Sequence, residues 1–241
     1  MCCGRENAVK FKSVEALRAA YPDAFKKDGS VDLTNKREIE ELPDNWHVTG
    51  TLSLRQCTGL TSFPSGLKVD GALDMRRCKN IPEVADDLSV GQSMVLTVNS
   101  KVRDLPKHLT VGGSLFLSDL PNLRKVPQGL KVGRDVDIAY CDALVAVDMA
   151  LDIPGNLSIK KCRSLECVEA EINIGDTLRL IDLPSLKEAA PRARIRGDMI
   201  IEECPALAGL DPILYFTEIG GEIRVDDAKV WPVPEPSAPS P

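Results

Sequence analysis

Short runs in which apolar and polar residues alternate return along this chain at intervals of 21 residues. The pairs Leu52/Leu54, Leu73/Met75, Met94/Leu96, Leu115/Leu117, Val136/Ile138, Leu157/Ile159, Leu178/Leu180 and Met199/Ile201 keep this register without a slip. A second alternating run precedes each of them, from Trp46/Val48 and Leu67/Val69 to Ala193/Ile195. Two single apolar columns, one from Leu60 to Leu207 and one from Phe63 to Leu210, complete the coil. Alternation with period two predicts strands with one buried face, and a fixed longer period predicts a stack of equivalent coils.

The corners are also periodic. Each interior coil places a glycine between its two runs (Gly50, Gly71, Gly91, Gly112, Gly133, Gly155, Gly175, Gly197), where positive φ and close backbone approach are expected. Pro43, Pro64, Pro106 and Pro127 mark another corner, which later coils replace with Asp148, Glu169, Ala190 and Asp211. No coil can bury its own apolar face, so stacking must supply the core. The prediction is a β-rich solenoid, a right-handed stack of about nine coils joined by parallel sheets. Residues 1–28 form an N-terminal segment with a capping helix near 13–20. The solenoid spans 29–230 and ends in a cap strand at Ile223 and Val225. A flexible proline-rich tail occupies 231–241.

The element Leu52-x-Leu54-x-x-Cys57-x-x-Leu60 resembles a leucine-rich repeat, and Leu105-Pro106 with Leu109 resembles the Leu-Pro-x-x-Leu portion of bacterial short repeats. The resemblance covers roughly residues 29–216. It implies a recognition scaffold, of a kind some bacteria deliver into host cells. Two departures leave a flat, β-helix-like solenoid as the alternative to this leucine-rich-repeat-like stack. The leucine usual three residues before the Leu-x-Leu pair is replaced by Thr49, Asp70, Gly91 and their equivalents, and the added Leu-x-Val run suggests a second strand per coil. The catalytic domain of the family's ubiquitin-ligase members is not implied here.

Composition narrows the function. A formal net charge of −6 with signs interspersed offers no cationic face for nucleic acid. No apolar run is long enough to span a bilayer, and no secretory leader is evident at the N-terminus. The expected location is cytoplasmic, with non-classical delivery into a host cell as the alternative. Met1-Cys2-Cys3-Gly4 offers thiols for acylation but fails the myristoylation pattern. Of the eight cysteines, Cys57, Cys78, Cys141, Cys162 and Cys204 share one column with Asn99, Leu120 and Leu183. That mixture reads as an inward site where reduced thiols serve as small apolar groups. Neighbouring pairs lie close enough to bridge if adjacent coils follow sheet spacing, and no zinc set is spaced for closure. Neither a metal nor another cofactor is expected.

His47 and His108 fall on different columns nearly three coils apart, and no nucleophile elbow, phosphate loop or His-Glu-x-x-His motif occurs, so the chain is not expected to be an enzyme. The outward columns suggest a protein-binding surface. Val95, Val98, Phe116 and Tyr140 form its apolar centre, bordered by Arg55, Arg76 and Arg77 on one side and Asp119 and Asp137 on the other. The sequence therefore predicts a monomeric, non-catalytic scaffold, of effector or adaptor type, that binds an unidentified protein through this strand face. The alternative is a structural component that associates through the solenoid's ends or edges.

Overall fold

The structure is a computed structural model, and it describes residues 8–126, 129–148, 151–169, 172–189, 193–207, 218–226 and 228–229. It is a right-handed β-solenoid whose strands pair rung to rung. Among the described residues the largest sheet, here the front sheet, has eleven strands and runs from Val31–Asp32 through Leu73–Arg76 and Met199–Glu202 to Ala228–Lys229. Leu73 pairs with Met94, Leu115 with Val136 and Leu178 with Met199, all in parallel. One coil in sequence is therefore one step in the ladder. The step lengthens once, where Met199 faces Ile223 across three extra residues.

The Leu-x-Val runs build a back sheet in two segments. Five strands run from His47–Val48 to Lys131–Val132, and four from Leu151–Ile153 to Glu218–Ile219. The third wall changes along the axis. Near the N-terminus Val9–Lys10 lies parallel to Ile39–Glu41, and isolated bridges join Asp104, Lys125 and Ala146. From there the strands Ala146–Asp148, Cys167–Glu169 and Glu188–Ala189 form a third sheet, in the coils whose sequence has lost the corner proline. Removing proline restores the backbone donor that a ladder needs.

One continuous apolar core runs the length of the stack and includes all five cysteines of the shared column. These five are free thiols, and their Sγ atoms face backbone carbonyls, Cys57 toward Leu33 at 3.0 Å and Cys78 toward Leu54 at 2.9 Å. Burial pushes the Cys57 and Cys78 thiols up to about 12, and Cys204 to about 11. Asn99 replaces the thiol once. It is fully buried, donates to the carbonyls of Cys78 (2.7 Å) and Ile81 (3.1 Å), and accepts from the amides of Lys101 and Val102.

The leucine-rich-repeat reading is overturned. Among the described residues the one α-helix is Val14–Ala20, a cap with none repeated per coil. In a horseshoe, helices on the outer side are wider than sheet spacing and force curvature. Here the side opposite the front sheet is itself a strand, so front and back advance by the same step and the flat solenoid results. The expectations that rested on the family, including effector-type delivery, lose their support with it.

One local expectation is also corrected. The corner glycines do not take positive φ, which among the described glycines occurs only at Gly29, Gly66 and Gly129. They are required by crowding: a Cβ on Gly133 would lie 2.0 Å from the Gly112 carbonyl oxygen, and one on Gly91 would lie 2.3 Å from that of Asp70. The left-handed conformation sits instead at Gln56, Arg77, Val98, Asp119, Tyr140, Lys161, Asp182 and Glu203. Expectations placed on Met1-Cys2-Cys3-Gly4, Pro127, Ala190, Leu210, Asp211 and the segment from Trp231 lie outside the described residues.

Candidate functional site on the strand face and at the solenoid ends

The pleat of the front sheet brings part of the expected surface together. Phe116 sits between Val95 and Asp137 on adjacent rungs, and its side chain is 39% exposed. Arg77, Val98, Asp119 and Tyr140 are not on the pleat. The strands Leu73–Arg76, Met94–Thr97, Leu115–Ser118 and Val136–Ala139 end one residue earlier, and these four residues occupy the left-handed turn that follows. Tyr140 is 47% exposed, with the Lys161 ammonium 5.4 Å from its ring centre. Val145, 50% exposed, was missed because it belongs to no repeated outward column considered from sequence. Ala139 and Ser158, which occupy outward positions of the pleat, are buried. Their short side chains lie next to Lys160 and Arg179 on the following rung, and longer neighbours cover them.

The charges of this face are largely paired within it. Arg76 Nε donates to Asp74 Oδ1 at 2.9 Å, and Arg55 Nε lies 3.9 Å from the same carboxylate group. Lys160 Nζ contacts Asp137 Oδ2 at 2.9 Å. Such exposed pairs contribute only about 0–1 kcal/mol each, yet they satisfy locally the groups expected to form a charged rim. The apolar centre is correspondingly small, since Val95 and Val98 are half-buried beside their neighbours.

The ends of the stack differ from its sides. At the N-terminal end, Phe25 forms an antiparallel bridge with Val31 and so meets the edge of the front sheet, while Val9–Lys10 covers the third wall. Ser13 caps the helix by accepting from the Ala16 amide, and Leu17 is driven fully into the core. Among the described residues the back sheet has no such cover, and His47–Val48 is its terminal strand. The amides of Lys68 and Asp70 donate to the carbonyls of Trp46 and Val48, each at 2.9 Å. In a ladder the groups of alternate residues point to opposite sides, so the N–H and C=O of His47 face outward along the axis. A groove of about 240 Å³ lies over them, lined by Val14, Arg18, Phe25, Trp46, His47 and Val48 among others. At the far end, Ile223–Val225 is covered by the antiparallel Ala228–Lys229, whereas Glu218–Ile219 is the last back-sheet strand among the described residues.

The imidazole Nε2 of His47 lies 2.8 Å from Asp70 Oδ2, and this contact holds the Asp70 carboxyl below its ordinary range. His108 is exposed on a separate rung. Among the described residues no three histidine, cysteine or acidic side chains are grouped to hold a metal ion, and no helix is long and apolar enough to cross a membrane. Comparison with protein-family models, curated proteins and solved structures found no match.

Proposed function

We propose that the chain is a structural component, a stiff β-solenoid that associates through its ends. The observation that carries this reading is the contrast between the back sheet and the rest of the stack. Among the described residues, hydrogen-bonding edges are bare at His47–Val48 and Glu218–Ile219, while the front sheet is met by an antiparallel segment at each end. A bare strand edge is a template for another chain, and proteins that stay apart usually blunt it. The internally paired charges of the strand face also favour a role in which that face is passive. Sedimentation velocity across a hundredfold concentration range is expected to show mass increasing with concentration. A constant monomer mass would refute the reading.

Exposed Phe116 and Tyr140 support a second reading, recognition of a protein partner through the front sheet. Phe116→Ser combined with Arg76→Glu is then expected to abolish capture of that partner from lysate with an unchanged circular dichroism spectrum. Undiminished capture would exclude this surface.

A further inference from the structure

We infer that the bare edge at His47 receives the segment Trp231–Glu235 of a second copy of this chain, as an added rung of the back sheet. The inference rests on the end-association reading above and names the occupant of one of its edges.

Each rung of the back sheet requires the same arrangement from its predecessor. Lys68 N–H donates to the carbonyl of Trp46, an inward residue, and by the same pairing its carbonyl accepts from the next inward residue, Val48. An incoming strand must therefore present an inward carbonyl, then an outward residue, then an inward N–H. The outward residue's own N–H would point away from the stack into solvent. Only at this edge is that donor unnecessary.

Trp231-Pro232-Val233 meets each requirement. Placed with Trp231 and Val233 inward, the Trp231 carbonyl accepts from His47 N–H and the Val233 N–H donates to the His47 carbonyl. Pro232 then occupies the outward position whose donor is not needed. The segment also repeats the chemistry of the strand it would join, Trp46-His47-Val48, with proline in place of histidine. Trp231, Val233 and Glu235 each precede a proline, which biases them toward extended backbone and lowers the entropy lost on docking. The groove supplies the apolar walls Val14 and Phe25 and the cations Arg18 and Lys26, and no carboxylate lines it among the described residues. Glu235 provides the complementary charge.

The opposite end does not fit. A strand added beyond Glu218–Ile219 must donate backward from its outward residue, as Arg196 N–H does to Ile174 and Gly220 N–H to Ile195 at neighbouring rungs, and Pro232 has no proton to give. Nor can the segment reach His47 of its own copy. About eight rungs, roughly 38 Å, separate the two ends of the back sheet, whereas Lys229 to Val233 spans at most about 14 Å. The contact is therefore between copies and joins the far end of one stack to the near end of the next.

Two measurements on the full chain test this. In sedimentation velocity, Val233→Pro removes the N–H that would donate to His47, and Trp231→Ala removes the apolar anchor. Each is expected to weaken self-association about tenfold or more, with Pro239→Ala, outside the docking segment, as a control that leaves it unchanged. Second, a preparation carrying His47→Cys is mixed with one carrying Pro232→Cys. Adjacent outward positions about 5 Å apart suit a disulfide, so a cross-linked pair is expected on mild oxidation of the mixture and from neither preparation alone. Association that persists undiminished in both tail variants, without the cross-link, overturns this inference and leaves end association standing. A wild-type chain that remains monomeric overturns both.

Discussion

The column Asn35, Gln56, Arg77, Val98, Asp119, Tyr140, Lys161, Asp182 and Glu203 keeps one left-handed backbone conformation under very different side chains. Its amides continue the front ladder past the end of the strands, Arg77 to the Thr97 carbonyl and Val98 to that of Ser118, and the stacking fixes the backbone whatever the residue prefers. The cost is greatest at Val98, whose branched Cβ is crowded at a φ of 55°. Val98→Asn introduces the residue type that Asn35 already contributes to this column, and it is expected to raise unfolding free energy by about 1 kcal/mol, read as a higher urea midpoint at constant slope. This column was not legible in the sequence, because no glycine or asparagine marks it after Asn35. The glycine columns were legible as corners, but crowding between backbones, a property of two adjacent coils, is what requires them.

Strands were legible wherever the period-two pattern had an apolar face, as at Leu73–Arg76 and Lys68–Val69. The extra Leu-x-Val run was correctly read as a second strand, yet a local resemblance in Leu52-x-Leu54-x-x-Cys57 pointed to a different architecture. The motif records how one corner leaves the front sheet and says nothing of what closes the coil behind it. At the N-terminal end, the helix Val14–Ala20 is too short to be stable alone and is held by what it buries. Leu17 is its fully buried anchor. Leu17→Ala is expected to cost about 2–5 kcal/mol in chemical denaturation and to expose the first rungs, seen as increased dye binding before the main transition. The candidate surface was legible only in its pleated part, around Phe116. The bare edges depend on which strands lack a neighbour, and no single residue encodes that.

Across the whole molecule the column of buried thiols sets a pH dependence. Cys57, Cys78 and Cys204 ionise at about 12, 12 and 11 in the folded chain, against an ordinary value of 9.0. Raised values mean that the unfolded chain loses these protons first. The stabilisation is whole below pH 9 and is lost as pH rises from about 9 toward 12. Thermal unfolding is expected to be flat between pH 7 and 8.5 and to fall steeply above pH 9. Replacing Cys57 and Cys78 with alanine is expected to lower the plateau and flatten the fall. A thiol reagent added at pH 8 is expected to leave the five column thiols unmodified until the chain unfolds.

The replacement of a proline corner by a third sheet divides this rod into two mechanical regimes. Among the described residues, before Ala146 one wall is secured by little more than single bridges, and from Ala146 to Ala189 all three walls carry ladders. Pulled by its termini, the chain should peel from the amino end in small, weak steps and then resist in larger ones, a graded yielding that suits a strut loaded along its axis.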